Sequence, residues 1–275
     1  MQSINLLQRL VMDWVFEQDH VLVTGGSLGI GFACAQAFAN RGARLTLVSR
    51  SLERLQHARD QLVAQGIAAD RIHVEAADLR QPDLAVQALD RAEAWGGPAD
   101  VLINSAGAAQ RVPVDDLTPQ AWRDAMDAKL FSYVHMTDPC IKRMGHRGQG
   151  RIVNIIGVGG KVANPVHLAG GAANAALMLA TTGWANAYAK RGVRVNGINP
   201  GQTLTGRLQG RMQALAQQQG ITPDEALRKA TSELPMGRFA DPEEIANLAL
   251  YLCSPLSSYV TGTVIAMDGA LYPVL

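Results

Sequence analysis

Short apolar runs alternate with longer stretches of helical spacing along most of the chain. The β-branched runs at 20–25 (HVLVTG), 43–50 (ARLTLVSR), 71–78 (RIHVEAAD), 99–107 (ADVLINSAG), 150–157 (GRIVNIIG), 193–201 (VRVNGINPG) and 263–269 (TVIAMDG) read as seven strands. Between them, 30–41 reads as a helix, and Ser51 caps a second one. Pro82 opens a third, to about Ala94, and Thr118 with Pro119 starts a long one to about Met144. Residues 166–190 form another long helix, 207–231 a variable helical segment and 242–253 a last helix.

Strand and helix alternating in this way imply right-handed crossovers and a parallel sheet covered on both faces. The expected fold is α/β: a Rossmann-like, doubly wound sheet in a single domain over 1–275, with 1–17 as an N-terminal extension of unknown role. That extension reads as an extra amphipathic turn, or as an upstream start before Met12. It lacks a secretory pattern.

At 275 residues the chain can bury a substantial core. A net charge of +1 gives no electrostatic case for nucleic acid, and no apolar run is long enough for a membrane span. Cys34, Cys140 and Cys253 have no metal-like spacing and read as buried thiols of a reducing, cytoplasmic compartment.

The first chemistry appears at 24–31, TGGSLGIG, between the first strand and its helix. Gly25 permits a tight turn, while Gly29 and Gly31 permit close approach of a pyrophosphate to the helix N-terminus. The second strand ends in Ser49-Arg50-Ser51, where an acid would select NAD. Arg50 can instead make charge-assisted bonds to a 2′-phosphate, so NADP is expected rather than NAD.

These residues resemble the short-chain dehydrogenase/reductase family, from about His20 to Gly269. TGGSLGIG resembles the family's TGxxxGIG turn, and Asp78-Leu79 the pair that contacts adenine. Asn104-Ser105-Ala106-Gly107 resembles its NNAG segment. Asn199-Pro200-Gly201, with Thr205 beyond, resembles the stretch at the nicotinamide carboxamide. The resemblance implies cofactor contacts from Thr24, Gly25, Ser27, Leu28, Gly29, Ile30 and Gly31. It implies others from Ser49 and Arg50, from Asp78 and Leu79, and from Asn104, Ala106 and Gly107. Pro200, Gly201 and Thr205 complete the set. It also implies hydride transfer between NADP(H) and a small carbonyl or alcohol substrate, and a homo-oligomer, dimer or tetramer, built on the two long helices.

The family's proton relay uses a serine, a tyrosine, a lysine and an asparagine. In gapless register those places hold Gly157, Gly170, Asn174 and Lys129, and no Tyr-x-x-x-Lys occurs anywhere in the chain. Glycine carries no proton, and acid–base groups typically contribute about a hundred- to ten-thousand-fold. Two groups are candidate replacements. Lys129 stands on a helix whose family counterpart feeds the relay, and burial would depress its pKa. His167 precedes Gly170 by three residues and titrates near neutrality. Each also has a structural role open to it, Lys129 as a filler of the vacated space and His167 as a helix-end hydrogen bonder. Lys161 stands near the expected substrate mouth and suits an acidic group, and Asn174 can bond the nicotinamide ribose without charge. Two rivals stand beside the oxidoreductase: a catalytically inactive NADP(H)-binding scaffold or sensor, and a lyase or isomerase using the same pocket.

Overall fold

The computed structural model describes residues 15–107 and 109–273, so the first fourteen residues of the expected extension lie outside it. Seven strands form one parallel sheet in the order β3-β2-β1-β4-β5-β6-β7: β1 His20–Thr24, β2 Arg44–Ser49, β3 Ile72–Ala76, β4 Val101–Asn104, β5 Gly150–Ile155, β6 Val193–Pro200 and β7 Val264–Met267. Helices α1 Gly29–Ala39, α2 Leu52–Ala64, α3 Pro82–Gly96, α4 Pro119–Ala125, α5 Ser132–Arg147, α6 Leu168–Tyr188, α7 Gly206–Gln219, α8 Pro223–Ser232 and α9 Pro242–Cys253 complete the fold. The α/β doubly wound expectation holds.

Alternation along each strand sends neighbours to opposite faces. Val21, Val23, Val101 and Ile103 join one apolar core with Phe38 of α1 and Ile245 of α9. Leu22 and Leu102 join the other, with Leu89 of α3 and Met136 of α5. Burial on both faces explains why the strands are almost continuously apolar. Local chemistry sets the helix starts: Ser51 accepts from the amide of Arg54 at 3.3 Å and Thr118 from that of Ala121 at 3.1 Å.

Two helical stretches differ from expectation. The long helix from Pro119 is interrupted by a π-helical stretch, Met126–Phe131, before α5 carries on to Arg147. The segment 207–231 is two helices, because Gly220 adopts φ +66° and Thr222 with Glu225 forms a reciprocal cap that starts α8. Their own cluster of Leu208, Met212, Leu234 and Phe239 sits apart from the main cores.

Candidate functional site

Strand order reverses between β1 and β4, and ligands of such sheets bind outside the carboxyl ends there. The glycine turn lies at that point. Gly25 (φ +67°) brings the turn so near the loop after β4 that a Cβ would stand 2.8 Å from the Ser105 and Ala106 backbone. A Cβ on Gly31 would stand 2.3 Å from the Gly25 carbonyl oxygen. Leu28 caps α1 without a side-chain bond and no acid stands in the first turn, so Gly29, Ile30 and Gly31 present amides to an anion. Thr205, at the start of α7, lies across from Gly29, where a Cβ would meet its Cγ2 at 3.4 Å. A dinucleotide pyrophosphate fits this cradle, because side chains are missing where it would come closest.

Other expected cofactor residues divide by what their side chains already do. Thr24 is buried, and its Oγ1 accepts from the amides of Ser105 and Ala106, each at 3.2 Å. Asn104 is also buried and donates to Thr137 Oγ1 and Asn154 Oδ1, each at 2.9 Å. These two hold the loop in shape from behind. Ser27 is buried within the turn, while Ser49 and Arg50 stand at the open end of β2. The Asp78 carboxylate takes the Arg80 guanidinium, with Nε 2.9 and 3.0 Å away. Its pKa is lowered first by that bond and more weakly by the nearby charge of Arg50, so two arginines flank the expected adenosine end. Leu79 is buried, and its carbonyl accepts from His135 at 2.9 Å. Gly107 (φ +88°) runs against the π turn, where a Cβ would fall 1.9 Å from the Ala128 carbonyl oxygen. Pro200 is buried at the end of β6, and Gly201 bonds the Met267 carbonyl at 2.9 Å.

At the far end of the crevice the relay places hold other groups. Lys129 is 7% exposed in the π turn, and its Nζ donates to Tyr133 Oη at 3.0 Å and to the Ile155 carbonyl at 3.1 Å. The Tyr133 hydroxyl donates to the same carbonyl. An ammonium has three donors, so one remains uncommitted at the carboxyl end of β5, two residues before Gly157. Burial, helped by the charge of Arg207, draws the Lys129 pKa down to about 7. Burial pushes Tyr133 well above the ordinary tyrosine value, so its hydroxyl stays neutral and positions the lysine. Tyr133 is the residue that sequence reading missed. Its signal was the four-residue spacing from Lys129, the reverse of the absent Tyr-x-x-x-Lys.

His167 caps α6 and lies over Gly170: a Cβ built there would stand 2.2 Å from its Cε1. The imidazole therefore occupies the direction in which a side chain at residue 170 would leave the helix. Its pKa is lowered by burial, then by the charges of Arg111 and Lys129, so it is neutral at pH 7. Its Nδ1 is buried without a hydrogen-bond partner, and so is the Asn174 Oδ1. Asn174 Nδ2 lies 3.3 Å from where a Cβ of Gly157 would be, which brings the serine and lysine places together. Gly157 itself has φ +127°, and its amide donates to Asn199 Oδ1 at 3.2 Å. Lys129, at the end of β5, thus stands two residues before Gly157, Gly157 lies beside Asn174, and His167 lies over Gly170. Lys161 is exposed in the turn after β5. Asn154 is buried and donates to Thr181 Oγ1 at 2.9 Å, so it supports the loop from inside.

Among the described residues there is no cluster of metal-ligating side chains, and no helix long and apolar enough to cross a membrane. All three cysteines are free and buried.

The family model described as enoyl-(acyl carrier protein) reductase matches residues 25–271. Gluconate 5-dehydrogenase of Gluconobacter oxydans is 30% identical over 91% of this chain and 93% of its own. L-sorbose reductase of Gluconobacter frateurii, solved with NADPH and L-sorbose, superposes with a TM-score of 0.90 at 28% identity, covering 96% of this chain and all of the other. A short chain oxidoreductase of Pseudomonas aeruginosa PAO1, described as containing an atypical catalytic center and solved with NADPH, gives 0.85 at 29% identity over 95% of this chain and 99% of its own. The glycine cradle, the sheet order and these likenesses agree: the chain belongs to the short-chain dehydrogenase/reductase family of oxidoreductases.

Proposed function

We propose that this protein is an NADP(H)-dependent oxidoreductase acting on a carbonyl or alcohol, with Lys129 as its proton donor and acceptor. One observation carries the reading. A buried ammonium, with its pKa near 7 and one N–H uncommitted, stands at the end of β5, two residues before the vacated serine place at Gly157.

NADPH, when bound, supplies the hydride. The glycine turn and the α1 amides would hold the pyrophosphate, and Arg50 with Ser49 would bind the 2′-phosphate, which supports NADP over NAD. Solved relatives holding NADPH point the same way. Asn174 Oδ1, buried and unpartnered, would accept from a nicotinamide ribose hydroxyl. Lys129 donates a proton from Nζ to the substrate oxygen as that oxygen gains the carbonyl electron pair, and the neutral amine then recovers a proton from water. Tyr133 Oη and the Ile155 carbonyl fix the amine through that cycle. His167, neutral near pH 7, orients the substrate oxygen by a hydrogen bond. The exposed Leu179 of α6 and Phe131 beside α5 suit burial in a homo-oligomer built on those helices.

The test is NADPH consumption over a panel of ketones, aldehydes and oxo acids, run beside an equilibrium binding measurement for NADPH. Turnover on a panel member, lost by a factor of about a hundred or more in Lys129→Ala, supports the assignment. Tight NADPH binding with no turnover on any member contradicts it and favours the scaffold reading.

A further inference from the structure

The hydrogen bonds of Lys129 leave its amine one free direction. The residue lies in the π-helical stretch Met126–Phe131, and such widened turns recur at functional positions. Lys129 is 7% exposed, and both its partners are neutral oxygens, Tyr133 Oη at 3.0 Å and the Ile155 carbonyl at 3.1 Å. Tyr133 gives its own proton to that same carbonyl, so toward the amine its oxygen acts as an acceptor. A buried ammonium held by neutral groups alone has lost solvation without gaining a counter-charge, which favours the neutral amine. The titratable or charged groups coupled to it are Tyr133 of α5, Arg207 of α7 and His167 ahead of α6, and none is a carboxylate. Burial and Arg207 accordingly draw its pKa to about 7.

In the neutral amine both remaining N–H bonds are taken by those two oxygens. The lone pair therefore occupies the third direction, which in the ammonium holds the uncommitted N–H. Gly157, two residues beyond Ile155, puts no side chain on that end of the strand. Among the described residues a Cβ built on it would meet only Asn174 Nδ2 within 4 Å, at 3.3 Å. Ligands of such sheets bind at this carboxyl edge. A desolvated lysine with its lone pair held in one direction is a nucleophile toward carbonyl carbon.

We propose that Lys129 also forms a covalent bond: its Nζ condenses with an aldehyde or ketone to give an imine. The lone pair makes the N–C bond as the C=O π pair moves to oxygen. Both hydrogens of Nζ leave with that oxygen as water, the N=C bond closes, and nothing is oxidised or reduced. Tyr133 Oη, 3.0 Å from Nζ, can then turn its proton from the Ile155 carbonyl to the imine nitrogen. An imine withdraws electrons from the neighbouring carbon, which serves bond cleavage or isomerisation rather than hydride transfer. The step needs no cofactor and does not rest on the oxidoreductase reading, although both use one amine: the ammonium gives a proton, the neutral form makes the bond.

The test is reductive trapping. The protein is incubated without NADPH at about pH 7.5, where an ordinary lysine is almost wholly charged, with propanal or acetone and sodium cyanoborohydride. The borohydride supplies the hydride that turns an imine into a stable secondary amine, and peptide mass spectrometry locates it. Lys142, Lys161, Lys190 and Lys229 are the internal standards. Lys129 should be alkylated at least about tenfold faster than any of them, since a depressed pKa leaves far more of its amine neutral. In protein unfolded by urea that advantage should vanish, because it comes from the folded surroundings. A folded-state rate at Lys129 no greater than at the exposed Lys161 overturns the proposal, and so does an advantage that persists in urea. Trapping at Lys129 with no NADPH turnover on any carbonyl upholds the imine and contradicts the oxidoreductase reading. Turnover that is lost in Lys129→Ala, with no trapping in the parent, does the reverse.

Discussion

At the scale of single residues, the site depends on what fills the space of an absent tyrosine. Gly170 and His167 form one unit, because the imidazole lies where a Cβ at residue 170 would go. Restoring the tyrosine alone is therefore expected to fail. Gly170→Tyr should lower the unfolding free energy by about 1–3 kcal/mol through overpacking, and His167→Ala in the same chain should return part of it. A single variant as stable as the parent in denaturant titration would show that the imidazole is not seated there. Tyr133 makes a second case. Its hydroxyl accepts from the ammonium, which favours the charged form, so Tyr133→Phe should move the pH profile of reduction to lower pH. A profile that stayed in place would remove the positioning role. Sequence register placed Lys129, Gly157, Gly170 and Asn174 in one site, and the structure sets Lys129 at the end of β5, two residues before Gly157, and Gly157 beside Asn174. It could not show the stance of His167, which depends on the loop path, with Val166 bonded back to Asn164 at 3.0 Å.

Elements act on the site through two close approaches. The π turn puts Lys129 under the end of β5, and the loop after β4 lies against that turn at Gly107. One extra residue per turn leaves the three- and four-residue apolar spacing on either side intact, which is why a single helix was expected from Pro119. Gly107→Ala would place a methyl group 1.9 Å from the Ala128 carbonyl oxygen at a φ of +88°. It should cost about 1–3 kcal/mol or more in stability and weaken NADPH binding by displacing the loop. An alanine variant with unchanged melting temperature and NADPH affinity would refute that coupling. The split of 207–231 into two helices had a legible cause in Gly220 and the Thr222–Glu225 cap, although the segment read as one from its helical composition.

Over the whole molecule, the strand order and the first glycine turn put the cofactor crevice at the β1–β4 reversal. This level was the most legible in sequence, because strands buried on both faces must be apolar throughout and the turn must be glycine-rich. On the proposed reading, cofactor choice is exerted from the opposite end, where Arg50 and Arg80 act on Asp78. A ligand that binds only the folded chain raises its melting temperature. NADP should therefore raise it more than NAD, and Arg50→Ala should reduce the NADP effect, with an affinity loss of about tenfold or more, while leaving NAD unchanged. Equal NADP affinity in parent and variant would remove Arg50 from the site.

The central claim is that Lys129 moves the proton, and its pKa of about 7 gives that claim a sign. Below that pH the amine is charged and can donate; above it the amine is neutral and can only accept. The most direct measurement is kcat for carbonyl reduction against pH, in the parent and in Lys129→Met, with saturating NADPH. The parent should lose activity as pH rises through about 7, and the reverse oxidation should gain it. Lys129→Met should run about a hundredfold or more slower, with no inflection in that range. A Lys129→Met variant that keeps both the parental rate and the parental inflection would show that the proton comes from elsewhere.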